Sequence, residues 1–71
     1  MKPVYLFFAE GSEEVEALAV VDILRRAGID IKIVSVADGR LVTGSHGIKV
    51  EADEMFDEVD FTDAAMLVLP G

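Results

Sequence analysis

An apolar run without alternation lies near the start of this chain and restricts how the chain can fold. Residues Val4–Ala9 read VYLFFA, with no polar residue among them. A strand with one solvent-exposed face alternates apolar and polar residues, whereas a continuous run rich in β-branched and aromatic types is typical of a strand buried on both faces. The sequence therefore predicts a central strand of a parallel sheet, covered on two sides.

A single long helix is predicted after this strand. Ser12 is in position for an N-cap, and glutamates fill the first turn, where carboxylates complement the helix dipole. The helix is expected to end near Ala27. Arg25 and Arg26 would occupy its last turn, and Gly28 suits the left-handed residue that ends many helices.

Two further apolar strands indicate the architecture. Residues 31–36 read IKIVSV, and residues 66–69 read MLVL. Strand, helix, strand, excursion, strand is the opening of a doubly wound α/β sheet, and right-handed crossovers place the first strand between the other two. The third strand would leave one edge of the sheet bare. We therefore expect residues 1–71 to be the N-terminal part of a single domain that continues beyond Gly71.

The excursion between the second and third strands has two parts. Residues 41–43 and 48–50 predict a short hairpin around a four-residue connection, 44–47. Residues 51–63 hold seven of the fourteen acidic residues and no basic one, which predicts a loop with one helical turn. This stretch lacks the spacing of a calcium loop, so we interpret it as a solvated face and expect no metal site.

Composition excludes several function classes. Six Lys plus Arg against fourteen Asp plus Glu give a net charge of -8, which disfavours nucleic acid as a partner. The chain has no cysteine, so a disulfide, a thiolate metal site and a cysteine nucleophile are excluded within these residues. Its apolar stretches are too short for a bilayer span or a signal peptide, which predicts a cytoplasmic protein without membrane contact.

One carboxylate falls on the face of the helix that is expected to cover the sheet. At 100° per residue, one side of the helix carries Glu16, Val20, Ile23, Leu24 and Ala27, with Ala17 and Val21 flanking them. Glu16 would then lie above the carboxyl end of the first strand, where open α/β sheets bind ligands. Two interpretations remain open: a carboxylate that only caps backbone N–H groups, or a desolvated acid that donates a hydrogen bond to a nucleophile. Glu10, Glu13 and Glu14 are interpreted as solvated.

The opposite helix face and the single histidine are the other candidates. The outer face combines aliphatic residues with charges of both signs, which indicates either a subunit interface or ordinary scattered exposure. Its residues are Val15, Leu18, Ala19, Asp22, Arg25 and Arg26. His46 lies in the predicted hairpin connection, and we interpret it as a solvated loop residue.

Three segments together resemble a known family. Residues 9–17 read AEGSEEVEA, residues 21–28 read VDILRRAG, and residues 68–71 read VLPG. In this order and spacing they resemble the start of the ThiJ/PfpI family, which includes the parkinsonism-associated deglycase and belongs to the class I glutamine-amidotransferase-like superfamily. The last segment resembles the family's L-P-G-G signature, of which Gly71 matches the first glycine.

The resemblance implies a fold, a site and an activity. It implies a flavodoxin-like fold, usually a homodimer, with a reactive cysteine on a strand-to-helix turn, which here must lie beyond Gly71. The acid at the position of Glu16 would hydrogen-bond the cysteine sulfur, and Gly71 would belong to an oxyanion-binding turn. The implied activity is a glyoxalase or deglycase acting on small reactive carbonyls without a cofactor, and these residues alone would be inert. The implied alternatives are a redox-regulated chaperone, an oxidative-stress sensor or a peptidase.

Overall fold

A computed structural model describes residues 2–71. Within these residues, one helix, six strands and two 3-10 turns follow one another. They are β1 (Val4–Phe8), α1 (Glu14–Arg26), β2 (Ile31–Ser35), β3 (Leu41–Thr43), β4 (Lys49–Glu51), β5 (Glu54–Met55), the 3-10 turns Phe56–Glu58 and Phe61–Asp63, and β6 (Met66–Val68).

The main sheet has four parallel strands in the order β5-β2-β1-β6. β1 is central: Val4 is in register with Ile31 of β2 on one side and with Met66 of β6 on the other. The prediction that the first strand lies between the other two apolar strands is thus confirmed, as is the flavodoxin-like α/β class. β3 and β4 form a separate antiparallel hairpin.

β1 is covered on both faces, as its composition predicts. Leu6 and Phe8 are fully buried in a core that α1 and the β3–β4 hairpin share with one face of the sheet. Tyr5 and Phe7 lie on the other face, where their rings pack against Phe61, with centroids 5.0 and 5.4 Å apart. Phe56 contacts both Phe7 and Phe61. The two 3-10 turns therefore supply the covering layer opposite the helix.

The two ends of α1 differ in how well the sequence predicts them. The N-cap is Glu13, whose carboxylate accepts a hydrogen bond from the Val15 amide at 2.8 Å. Ser12, the predicted cap, instead accepts from the Ala9 amide and closes the turn after β1. At the other end Gly28 has the expected left-handed conformation, with φ +79°. Its amide and the next one donate back to carbonyls of the last helical turn, which is the Schellman arrangement.

The predicted buried face of α1 is only partly correct, because the observed face is centred on the two residues that were expected to flank it. The side that covers the sheet is centred on Ala17 and Val21, with Leu18, Val20 and Leu24 partly buried beside them. Glu16, Ile23 and Ala27 are exposed. Because residues 17–24 read ALAVVDIL, apolar residues surround most of the helix and the wheel offers more than one apolar side.

The segment after the hairpin is more ordered than predicted. β4 begins at Lys49, one residue later than expected, so five residues connect the hairpin strands. Residues 51–63 contain β5 and both 3-10 turns. Asp53 starts this order: its amide donates to the Ile33 carbonyl at 2.8 Å, and its carboxylate accepts from the Ile33 amide at 2.8 Å. Asp53 thereby binds the edge of β2 and starts the pairing of β5.

β6 is the outer strand on the other side of the sheet. Met66, Leu67 and Leu69 are large apolar residues that are exposed there.

Of the part of the chain that the structure describes, no helix combines the length and the apolar character needed to cross a bilayer.

Candidate active site

The start of α1 lies at the carboxyl end of the sheet, beside the tip of β6. The Glu13 amide donates to the Gly71 carbonyl at 2.8 Å, which ties the N-cap of the helix to the residues that follow β6. β1 and β6 are neighbours and parallel, so their carboxyl ends open at this same place. The crevice between the carboxyl ends of such strands is the usual ligand site of an open α/β sheet.

Glu16 and Gly71, the two predicted site residues, are in contact at this crevice. A Cβ atom added to Gly71 would overlap Oε2 of Glu16. The expectation that Glu16 lies next to the end of the last strand therefore agrees with the structure. The expectation that it faces the core does not, because the Glu16 side chain is exposed. Its carboxylate lies over the carboxyl edge of the sheet instead of under the helix.

The buried carboxylate of the first turn is Glu14, which sequence analysis assigned to solvent. Glu14 is only 1% exposed and reaches into the turn between β3 and β4. Its Oε2 atom accepts hydrogen bonds from the amides of His46, at 2.8 Å, and Ile48, at 3.1 Å. The Ser45 hydroxyl donates to Oε1 at 3.4 Å. One helical side chain thus satisfies several donors of the hairpin turn.

The pKa of Glu14 reflects two opposed effects. Burial by itself raises the pKa of this carboxyl, but hydrogen bonds from backbone amides and from the His46 ring outweigh burial and lower the pKa to about 2. Glu14 is therefore an anion at neutral pH.

His46 completes this cluster. Its Nδ1 atom lies 3.0 Å from Oε1 of Glu14 and 3.2 Å from Oε2 of Glu13. The hydrogen bond with Glu14, together with the negative charges of Glu13 and Glu14, raises the pKa of His46 above its ordinary value of 6.5. The prediction of a solvated loop residue is thus only half right: the His46 ring is largely exposed, but it is bonded to the start of α1.

Gly44 leaves no room for a side chain beside Glu14. A Cβ atom at this position would overlap Cγ, Cδ and Oε2 of the Glu14 side chain. The glycine at position 44 is thus required by the close approach of the carboxylate to the hairpin backbone.

The pH dependence of stability is expected to show both titrating groups of this cluster. The lowered pKa of Glu14 stabilises the fold fully above pH 4.5, and this contribution is lost as pH falls toward about 2. The raised pKa of His46 stabilises the fold fully below pH 6.5, and this contribution is lost as pH rises through the raised value. Urea unfolding midpoints measured across pH on the protein that contains this chain would check both limbs.

Variants separate the two limbs. Glu14→Gln is expected to flatten the acid limb and also to weaken the limb above pH 6.5, because Glu14 is the main cause of the raised pKa of His46. His46→Gln is expected to flatten the limb above pH 6.5 and to reduce the acid limb only in part, because backbone amides also lower the pKa of Glu14. Hydrogen bonds from the Thr62 amide and hydroxyl lower the pKa of Asp60, so Asp60 also contributes to the acid limb. Asp60→Asn is therefore the control, because it measures the part of the acid limb that does not come from Glu14. An acid limb unaltered by Glu14→Gln would contradict the assignment.

Glu13, Glu14 and His46 also have the spacing of metal ligands. One ligand atom from each lies within 4.8 Å of the others. The Glu14 oxygens, however, already accept from amides of the hairpin turn, and a cation would have to replace those bonds. The cluster is therefore accounted for by its internal hydrogen bonds.

A separate concavity lies elsewhere on the molecule. It has a volume of about 530 Å³ and is open to solvent at the carboxyl ends of β2 and β5. Ser35, Asp38 and Phe56 are among its lining residues, and neither Glu16 nor Gly71 is. Since it is shallow and carries none of the convergent groups described above, the crevice at β1 and β6 is the better candidate site.

Comparison with known proteins shows which family this chain belongs to. The family model described as the DJ-1/PfpI family matches residues 2–71. The chain belongs to the DJ-1/PfpI family. Protein DJ-1 homolog A of Arabidopsis thaliana is 46% identical over 63 residues, which are 89% of this chain and 16% of the plant protein. A deglycase of Thermococcus kodakarensis is 35% identical over 68 residues, which are 96% of this chain and 40% of the archaeal protein.

A solved DJ-1 structure has the same fold. The oxidized DJ-1 of Toxoplasma gondii superimposes with a TM-score of 0.94 at 35% identity, covering 100% of this chain and 39% of the other. This DJ-1/PfpI chain thus spans less than half the length of each of these three proteins.

Two residues of the candidate site escaped sequence analysis of this DJ-1/PfpI chain. They are Glu14 and His46. A signal for Glu14 was present, because Glu14, Ala17 and Val21 are spaced by three and four residues and so share one side of a helix. No comparable signal exists for His46, since its role depends on where the hairpin docks.

Proposed function

We propose that the protein containing this chain is a cysteine-dependent enzyme of the glyoxalase or deglycase type, acting on α-oxoaldehydes or their adducts. The nucleophilic cysteine would lie outside these residues, as the DJ-1/PfpI relationship implies. The observation that supports the proposal most directly is the contact between Glu16 and Gly71 at the carboxyl end of β6. A carboxyl group there would adjoin both the nucleophile and the oxyanion-binding turn.

The proposed chemistry divides the work between these groups. The cysteine thiolate adds to the aldehyde carbon, the carbon–sulfur bond forms, and the carbonyl electron pair moves to oxygen as an oxyanion that then takes up a proton. Backbone N–H groups of the turn that begins at Gly71 would stabilise this oxyanion. Glu16, in its protonated form, would donate a hydrogen bond to the sulfur and favour the thiolate over the thiol.

Loss of the Glu16 carboxyl group is expected to raise the pKa of the cysteine. A hydrogen bond to a charged group contributes about 1.5 to 3 kcal/mol, so Glu16→Leu, which removes every donor, should raise the thiol pKa by about one to two units. Glu16→Gln keeps amide N–H groups that can donate to the sulfur and should raise the thiol pKa less. The measurement is the thiolate absorbance of the full-length protein across pH, together with methylglyoxal turnover. Glu51→Gln, which removes an exposed carboxylate in β4, is the control.

Two results would contradict this proposal. An unchanged thiol titration in both Glu16 variants would remove the role assigned to Glu16. A reactive cysteine without any methylglyoxal turnover in the unmutated protein would instead favour the sensor or chaperone alternative, because those roles need the thiol but no reaction with a carbonyl.

We also propose that the outer face of α1 forms a homodimer contact. Val15 is 72% exposed, and Ala19 and Ile23 continue the exposed row along the helix at four-residue spacing. Leu18, expected on this face, packs partly against the core instead. Arg25 is engaged within the chain, because its guanidinium donates to the Ile31 carbonyl and to the Asp53 carboxylate.

Val15→Asp is expected to turn the dimer of the full-length protein into a monomer, since a carboxylate without a partner is costly to desolvate in an interface. Sedimentation at micromolar concentration measures this. Leu41→Asp, at an exposed apolar position of the hairpin, is the matched control and should leave the mass unchanged. A Val15→Asp protein that remains dimeric would assign the contact to another surface.

A further inference from the structure

The proposed function requires an accurate position for the first turn of α1, yet the ends of a helix are its least stable parts. The first four N–H groups of a helix have no acceptor within it, and helix ends fray. Glu16 lies in this turn, and its side chain is exposed. Something outside the helix must therefore hold the turn if the Glu16 carboxyl group is to stay beside Gly71.

Glu14 provides that attachment. It precedes Glu16 by two residues, and its carboxylate is inserted between the helix and the hairpin turn, against Gly44 and the amides of His46 and Ile48. We propose that Glu14 is a positioning residue, which locks the first turn of α1 to the β3–β4 turn and so holds the Glu16 carboxyl group against Gly71. The inference rests on the proposed function of Glu16.

Main-chain bonds around Glu14 show that the hairpin, the helix start and the tip of β6 form one connected unit. The Ser45 amide donates to the Ser12 carbonyl, and the Gly11 amide donates to the Thr43 carbonyl, both at 2.9 Å. The Glu13 amide donates to the Gly71 carbonyl on the other side. Glu14 is the buried side chain between these bonds, so the position of the hairpin turn is passed on to Glu16 through a single helical turn.

Charge allows positioning to be separated from a direct electrostatic effect. Removing a nearby negative charge lowers the pKa of a thiol, because the thiolate then meets less repulsion. Losing the hydrogen bond from Glu16 raises it. Glu14→Gln therefore shifts the cysteine pKa in opposite directions under the two explanations, and only positioning predicts an increase.

The experiment titrates the cysteine of the full-length protein in four variants. We expect Glu14→Gln to raise the thiol midpoint by about half a unit or more, in the direction of Glu16→Leu. The double variant of Glu14→Gln with Glu16→Leu should titrate like Glu16→Leu alone, because Glu14 acts through Glu16. Asp53→Asn is the matched control: it also changes a carboxylate that attaches α1 to the sheet, but through Arg25 at the far end of the helix. It should leave the thiol midpoint unchanged.

Each result decides between the possibilities. If Glu16→Leu itself leaves the midpoint unchanged, the proposed function and this inference both fail. If Glu16→Leu raises the midpoint while Glu14→Gln lowers it, leaves it unchanged, or adds to it independently, only the positioning role is overturned. An equal increase with Asp53→Asn would reduce Glu14 to a general stabilising residue. Should Glu14→Gln not fold, Glu14→Asp keeps the charge but shortens the reach, and an unaltered midpoint there overturns the inference.

Discussion

Gly44→Ala is expected to destabilise the protein by about 2 to 3 kcal/mol, in the upper part of the range for overfilled interiors. The added methyl group would occupy the space of the Glu14 carboxyl group, so either the carboxylate or the hairpin backbone must move. Movement of the carboxylate would leave the amides of His46 and Ile48 without their acceptor. Since buried donors are costly to leave unpaired, the substitution should cost more than its volume suggests.

The measurement is the urea midpoint of the full-length protein, with Gly39→Ala as the control. A Cβ atom at Gly39 meets no heavy atom within 4 Å, so that variant should stay within about 0.5 kcal/mol of the unmutated protein. The two variants make the same chemical change in two neighbouring loops. Equal midpoints would mean that Glu14 does not occupy the hairpin turn as described.

Phe8→Ala is expected to have a still larger effect, of about 3 to 5 kcal/mol. The Phe8 ring is fully buried at the carboxyl end of the central strand, in the core that the sheet shares with α1 and the hairpin. Its removal would leave a cavity where these three elements meet. The start of α1 and the β3–β4 turn both rest on that core.

Phe56→Ala tests whether burial causes this cost. Phe56 is 52% exposed, so the same truncation removes less buried area and should cost less than about 2 kcal/mol. Urea unfolding of both variants, read by circular dichroism, gives the comparison. A Phe8→Ala variant no less stable than Phe56→Ala would contradict the arrangement of the core.

The sheet was predictable because its signals are local and consistent. An apolar run without alternation predicts a central strand, and the order of elements along the chain then restricts the neighbours of β1 to β2 and β6. The end of α1 was predictable for the same reason, since Gly28 and the two preceding arginines agree. In each case one segment carries enough information for its own structure.

The rotation of α1 was not predictable in this way. Apolar residues lie nearly all around the helix, so hydrophobic periodicity leaves its rotation undecided. The deciding contacts are between the Glu14 carboxylate and the backbone of a hairpin that begins more than a dozen residues after the helix. The sequence does not show which backbone amides lie near a given side chain. A helical wheel, which considers side chains alone, therefore cannot account for these contacts.

The order within residues 51–63 depends on a similar long-range contact. An acidic, polar segment predicts a loop, but the Asp53 carboxylate takes the place of a backbone acceptor at the edge of β2 and pairs with Arg25 of α1 at 2.9 Å. The aromatic residues that follow then reach the open face of β1. The Asp53 contacts and the aromatic packing both depend on the positions of β2 and α1, so the sequence of this segment alone does not predict them.

β1 acquires its two neighbours at very different times as the chain leaves the ribosome. β2 follows after one helix, whereas β6 is synthesised several seconds later at about 5 to 20 residues per second. Until then one hydrogen-bonding edge of β1 has no partner strand. The side chains of Tyr5 and Phe7 likewise stay uncovered until Phe56 and Phe61 have been synthesised. Until residues 56–68 have been synthesised, β1 therefore has an open edge and an uncovered apolar face, and this combination makes a partly folded chain prone to aggregate.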